Sequence, residues 1–166
     1  MIYSVDTNFD NNIGAVMIVQ GQWERIAMNI DSGAIDTVMP PNIGNHFSTV
    51  ETHASRNWPG FRAANGSPIK HYGQRILKGV GDQYQLVSLT TQVADVKTTL
   101  GSVYQMLKAG SRVHFENGNC FIEHIKSGKK TKIEEKMGTF EVGVWVPKST
   151  VSHQRPLSFQ RQDDRL

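Results

Sequence analysis

The chain has 166 residues, 38% hydrophobic and 20% charged, which is the balance of a folded domain and not of a disordered or collagen-like chain, and the length accommodates one compact core. Eighteen Lys and Arg against fifteen Asp and Glu leave a formal +3, too mild a charge to imply a nucleic-acid partner by itself. Cys120 is the only cysteine, which excludes an intrachain disulfide and a multi-cysteine zinc site and points to a reducing compartment.

Residues 1–13 are polar and rich in Asn and Asp, without an apolar period, and read as a loosely held arm before a domain over 14–146. The start lacks the basic and apolar regions of a secretion signal. The longest strictly apolar run, 15–19, falls far short of the roughly 20 residues that cross a bilayer. The expected location is therefore intracellular, in the cytoplasm, with no membrane partner. Residues 15–19, a turn at Gly21 and the strand pattern over 23–30 predict a β-hairpin ended by Asp31. Pro40 and Pro41 force a turn after Val38 and Met39, and 42–59 has no clean period, as expected of loop with one helical turn. Two extended pieces, 61–64 and 67–72, flank Asn65-Gly66, the dipeptide of a tight two-residue hairpin.

Residues 74–78 lead to a turn at 79–82, and 83–96, with Leu86, Val87, Leu89 and Val93, predicts one long strand. A single helix is expected within 98–110, capped by Ser102, with Val103, Met106 and Leu107 on one face and Gly110 as its stop. Four strands follow, at 112–115, 120–125, 131–135 and 139–146, divided by an Asn117-Gly118 turn and a basic turn at 127–130. The polar tail 147–166 has the composition of a disordered segment. The fold class expected is all-β with one short helix.

The chemistry concentrates in Met28-Asn29-Ile30-Asp31-Ser32-Gly33-Ala34. A carboxylate ends an apolar strand, the Ser32 hydroxyl can reach backbone beneath it, and Gly33 lets backbone approach the carboxylate. This stretch resembles the active-site motif of aspartic proteases and, in a domain of this size, that of the retropepsins of retroviruses and retrotransposons. A strand hairpin precedes the motif, as in that family. A candidate flap follows, formed by Ala63, Ala64, Asn65, Gly66, Ser67 and Ile69. An apolar strand then leads to Leu100-Gly101 and a short helix. The likeness spans 14–121 and implies a closed acid-protease β-barrel, one lobe per chain. Asn29 departs from it, being polar where the family usually has an apolar residue, and the strands after Val113 extend past the compact viral form.

The resemblance implies proteolysis by two carboxylates that share a proton, one activating water while the other polarises the scissile carbonyl. This chain offers one, Asp31, with Ser32, Gly33 and Ala34 shaping its loop. Asp36 lies in the same loop, and Asp82 and Asp95 lack the Ser-Gly context. A homodimer would supply the pair, with no metal and no cofactor, acting in acid on a peptide or polyprotein laid extended under the flap. The strand over 139–146 would then join the dimer sheet, as terminal strands do in the family. The alternative is a retropepsin-fold module that binds peptides or dimerises without turnover, for which Asn29 and the C-terminal extension speak. His114, Cys120 and His124 match no zinc spacing. Cys120 has no His and Asn pattern to make it a nucleophile. Lys126, Lys129, Lys130 and Lys132 have no aromatic among them and precede Glu134 and Glu135, so they read as a solvated hairpin tip, and nucleic acid is not an expected partner.

Overall fold

The computed structural model describes residues 23–57 and 60–148. The arm over 1–13, the first strand of the hairpin expected from 15 and the tail from 149 lie outside the described residues. The elements run β1 (Trp23–Asp31), β2 (Val38–Met39), β3 (Thr49–Val50), α1 (His53–Asn57), β4 (Phe61–Arg62), β5 (Pro68–Ile69), β6 (His71–Gly81), β7 (Leu86–Ala94), β8 (Thr99–Ser102), α2 (Val103–Lys108), β9 (Ser111–His114), β10 (Phe121–His124), β11 (Lys129–Lys132), β12 (Glu134–Lys136) and β13 (Thr139–Pro147). The described residues are mostly β, with two short helices: α2 within the span of the one helix expected, and α1 within 42–59, where a single helical turn was expected.

Eight strands form one sheet in the order β12, β13, β1, β8, β2, β7, β6, β3, and β13 also pairs with β6. The strands β13, β1, β8, β2, β7 and β6 thereby close into a ring. A three-stranded sheet, β11, β10, β9, and the β4 and β5 hairpin complete the β structure. The core holds Met28, Met39, Leu77, Leu89, Val93 and Met106, none more than 1% exposed. Burying side chains of this size stabilises by roughly 1.5–3 kcal/mol each relative to exposure.

The turn expected at 79–82 falls later, after Gly81, and residues 79–81 are the end of the 11-residue strand β6. Its glycines are there for close approach. A Cβ on Gly79 would overlap the Trp145 carbonyl where β13 crosses β6, and one on Gly73 would overlap the Val50 carbonyl of β3. Its partner β7 shows the period of two that alternate burial demands, with Val87, Leu89, Thr91 and Val93 buried. The strand expected over 131–135 is divided at buried Ile133, whose N–H donates to the Cys120 carbonyl at 2.8 Å, so five strands and not four follow α2.

Ring closure is latched by charge. Arg25 of β1 grips Asp82, just after β6, through Nε (3.0 Å) and Nη2 (2.7 Å), and its Nη1 reaches Glu141 of β13 at 3.1 Å. Trp145 Nε1 donates to Asp82 at 2.9 Å. The hydrogen bonds from Arg25 hold the Asp82 carboxyl below its ordinary range against an opposing burial cost. Glu141 is lowered too, first by Lys136 and then by Arg25. On the opposite flank, Arg75 of β6 is 5% exposed and donates to the Thr49 hydroxyl (2.8 Å) and to the Pro41 and Ile43 carbonyls. These partners are neutral, so burial lowers its pKa, and the guanidinium staples the 40–47 connection to the sheet.

Candidate active site

Asp31 is the last residue of β1, not the residue after it, because β8 runs parallel to β1 with Asp31 paired to Ser102. On its other side β8 pairs antiparallel with β2, Val38 against Leu100. The loop 32–37 therefore leaves one strand, passes over the strand between, and returns on the far side. Residues 99–102, the start of the span 98–110 in which a helix capped by Ser102 was expected, are this central strand, and Ser102 is the cap. Gly101 is needed there, since a Cβ would stand 2.9 Å from Met28 Cγ and Sδ and 3.1 Å from Met106 Cε. Helix α2 begins only at Val103, and Leu107 of the expected core face is 52% exposed while Met106 is fully buried.

Within the loop, Asp31 is half-buried and its Oδ1 accepts the Gly33 N–H at 2.7 Å. A Cβ on Gly33 would sit 3.3 Å from that oxygen, so glycine admits the backbone as its place in the motif suggested. Ser32 is exposed. The hydroxyl that holds the loop belongs to Ser102, which is fully buried. It donates to the Ala34 carbonyl at 2.6 Å, lies 3.2 Å from the Ile35 carbonyl, and accepts the Gln105 N–H as the cap of α2. Gln105 adds bonds from Nε2 to the Ile35 carbonyl (3.0 Å) and Asp36 Oδ1 (2.9 Å). Buried Thr37 completes the clamp, accepting the Ser102 N–H on its hydroxyl and the Gln92 N–H on its carbonyl. Asp36, in the same loop as Asp31, thus ties that loop to α2.

The candidate flap residues form a separate hairpin of β4 and β5, and its turn differs from the two-residue form expected. Gly66 N donates to Ala63 O and Ala63 N to Ser67 O, with Gly66 at φ +82. Ala64 and Asn65 are thus the central residues, and Gly66 is the left-handed residue that follows, the three-residue hairpin form. Asn65 Oδ1 accepts from the Ser67 N–H and hydroxyl. Ala64, Asn65, Gly66 and Ser67 are exposed, while Ala63 and Ile69 are half-buried.

A polar chain leads from this hairpin to the Asp31 loop. The Phe61 ring lies edge-on to His71, centroids 4.9 Å apart. His71 Nε2 is 3.0 Å from Gln92 Oε1 and 3.1 Å from the Gly73 carbonyl. Both are acceptors, which assigns the proton to Nε2. The Gln92 N–H then bonds Thr37, so one residue of β7 touches both the base of the hairpin and the root of the loop.

His114 and Cys120 share a partner, the side chain and the carbonyl of Glu116, while His124 Nδ1 meets the Ser127 hydroxyl, and no group of three metal-ligating side chains is found among the described residues. A cavity of about 630 Å³ opens between Phe115, Cys120, Ile133 and Phe140, rimmed by Glu134 and Glu135, and neither the Asp31 loop nor the hairpin lines it. Among the described residues no helix is long and apolar enough to cross a membrane. Comparison with protein-family models, curated proteins and solved structures finds no match to this chain.

Proposed function

We propose that the protein is an aspartic endopeptidase of retropepsin type that acts as a homodimer, each chain contributing Asp31 to one shared site. The observation that carries this reading is the clamped Asp31 loop. A half-exposed carboxylate ends a strand and takes a backbone N–H on one oxygen, and the loop that follows it is tied down by Ser102 and Gln105, from the adjoining strand and helix, at Ala34, Asp36 and Thr37. Rigid placement of an accessible carboxylate is what activation of a water requires. The ring of strands with β8 between β1 and β2 agrees with the barrel that the sequence resemblance implies.

Two such carboxylates facing one another share a proton, since like charges at close range cannot both ionise, and the pair titrates in two separated steps. One form binds and deprotonates water, and its partner donates to the carbonyl oxygen. An extended peptide or polyprotein segment lies between the site and the 63–67 hairpin, bonding through its main chain as an added strand. The test is cleavage of a quenched-peptide library from acid to neutral pH. Wild-type protein cleaves in acid, Asp31→Asn loses at least about a thousandfold, and a statine-type inhibitor abolishes the rest. Peptide binding without cleavage by the wild-type dimer would replace this reading with that of a silent binding module.

A further inference from the structure

The sheet of β9, β10 and β11 puts side by side what the sequence keeps apart. Alternation turns Ser111, Ile122 and Thr131 inward, where they are 2%, 1% and 6% exposed. The opposite face carries Arg112 and His114, Phe121 and Glu123, Lys130 and Lys132, in register across the three strands. Lys126 and Lys129 flank the turn at its end. Read along the chain these lysines have no aromatic neighbour, yet on the sheet Lys130 Nζ stands 4.3 Å from the centre of the Phe121 ring. The His114 ring stacks on Phe121 at 4.7 Å and 25°.

We infer that this face is a binding surface for single-stranded nucleic acid. Five cations are gathered on one small sheet and its turn, against two carboxylates: Glu123 on the face, which Arg112 pairs at 3.0 Å, and Glu116 beyond its edge, held by His114 at 3.1 Å. Residues 111–132 hold five Lys and Arg against two Glu, so this segment alone matches the net +3 of the whole chain. Such a surface complements a phosphate backbone. The aromatic pair favours an unpaired strand over a duplex, because only unpaired bases can stack on a protein ring. Phe121 is half-buried, and a solvated cation over its ring is a weaker contact than a base stacked on it. The Lys130 ammonium therefore leaves Phe121 for a phosphate as a base takes its place. An acidic protein or a lipid surface has no use for the stacked rings. This inference stands apart from the protease reading and uses none of its residues.

The test is fluorescence anisotropy of the full chain with labelled oligothymidylate, oligouridylate, a duplex of equal length, heparin and phosphatidylserine vesicles. Single strands bind in preference to the other probes, and the two oligonucleotides show whether the sugar matters. With three phosphates neutralised by Arg112, Lys130 and Lys132, affinity falls on the order of 20-fold between about 50 and about 200 mM salt. Lys130→Glu with Lys132→Glu lowers affinity at least tenfold, and Phe121→Leu removes the preference for single strands. Glu123→Gln tightens binding several-fold, a gain that damage to the fold cannot mimic. Equal binding of heparin, vesicles and duplex, indifference to Phe121→Leu, or no binding at low salt each overturns the inference.

Discussion

At the scale of single residues, the shape of the Asp31 loop is set from outside it. Ser102 is the pivot, since one hydroxyl caps α2 and donates to the Ala34 carbonyl of the loop, with the Ile35 carbonyl 3.2 Å away. Ser102→Ala removes the cap and the tie to the loop carbonyl, which costs about 1–2 kcal/mol. Thermal melting should register that loss, and peptide cleavage should fall further than stability does, because the carboxylate loses its fixed direction. Gln105→Ala, on a partly exposed residue, should lower turnover with a much smaller change in melting temperature. Equal loss of both in the two variants would make the clamp structural only. Gly101→Ala acts differently, forcing a methyl against Met28 and Met106 in the core, and overpacking of this kind costs about 1–3 kcal/mol. Ser102 was legible as a cap, but its loop partners lie some 67 and 68 positions away, a separation no local pattern reports.

At the scale of elements, the junction of β1, β6 and β13 makes stability depend on pH. Asp82 and Glu141 have folded pKa values below their ordinary 3.8 and 4.5, so the unfolded chain binds protons first as the solution is acidified. Their contribution is complete above those ordinary values and is lost as pH falls through the lowered folded values. Melting temperature should therefore hold steady down to about pH 5 and drop below it. Asp82→Asn should lower stability by about 1–3 kcal/mol at neutral pH, by leaving Arg25 half-paired, and should flatten the acid limb of the profile. An unchanged acid limb would place the sensitivity elsewhere. The same junction shows why β6 was hidden. Gly73, Gly79 and Gly81 carry the signature of turns, yet the first two are dictated by backbones that cross the strand, a tertiary demand absent from local sequence. The strand β7, whose alternation is its own, was legible apart from its ends.

At the scale of the whole molecule, the ring changes where a dimer can form. β13 was expected to enter a dimer sheet, but β12, β1 and β6 pair with it along its length within the same chain. The outer strands of the large sheet are β3 and β12, and β12 is Glu134-Glu135-Lys136, charges of the sort that discourage edge pairing. The Asp31 loop was legible as a strand end followed by a glycine turn because it is written in consecutive residues, whereas an interface is written in surfaces that no run of sequence marks. A mixing experiment tests the dimer without knowledge of that interface. If each site needs Asp31 from two chains, adding Asp31→Asn protein to an equal amount of wild type and allowing exchange should leave about half the cleavage activity, through random association in a two-fold dimer. A ninefold excess should leave about a tenth. A site complete within one chain would show no inhibition at any ratio, and its second carboxylate would then have to come from the same ring of strands that holds Asp31.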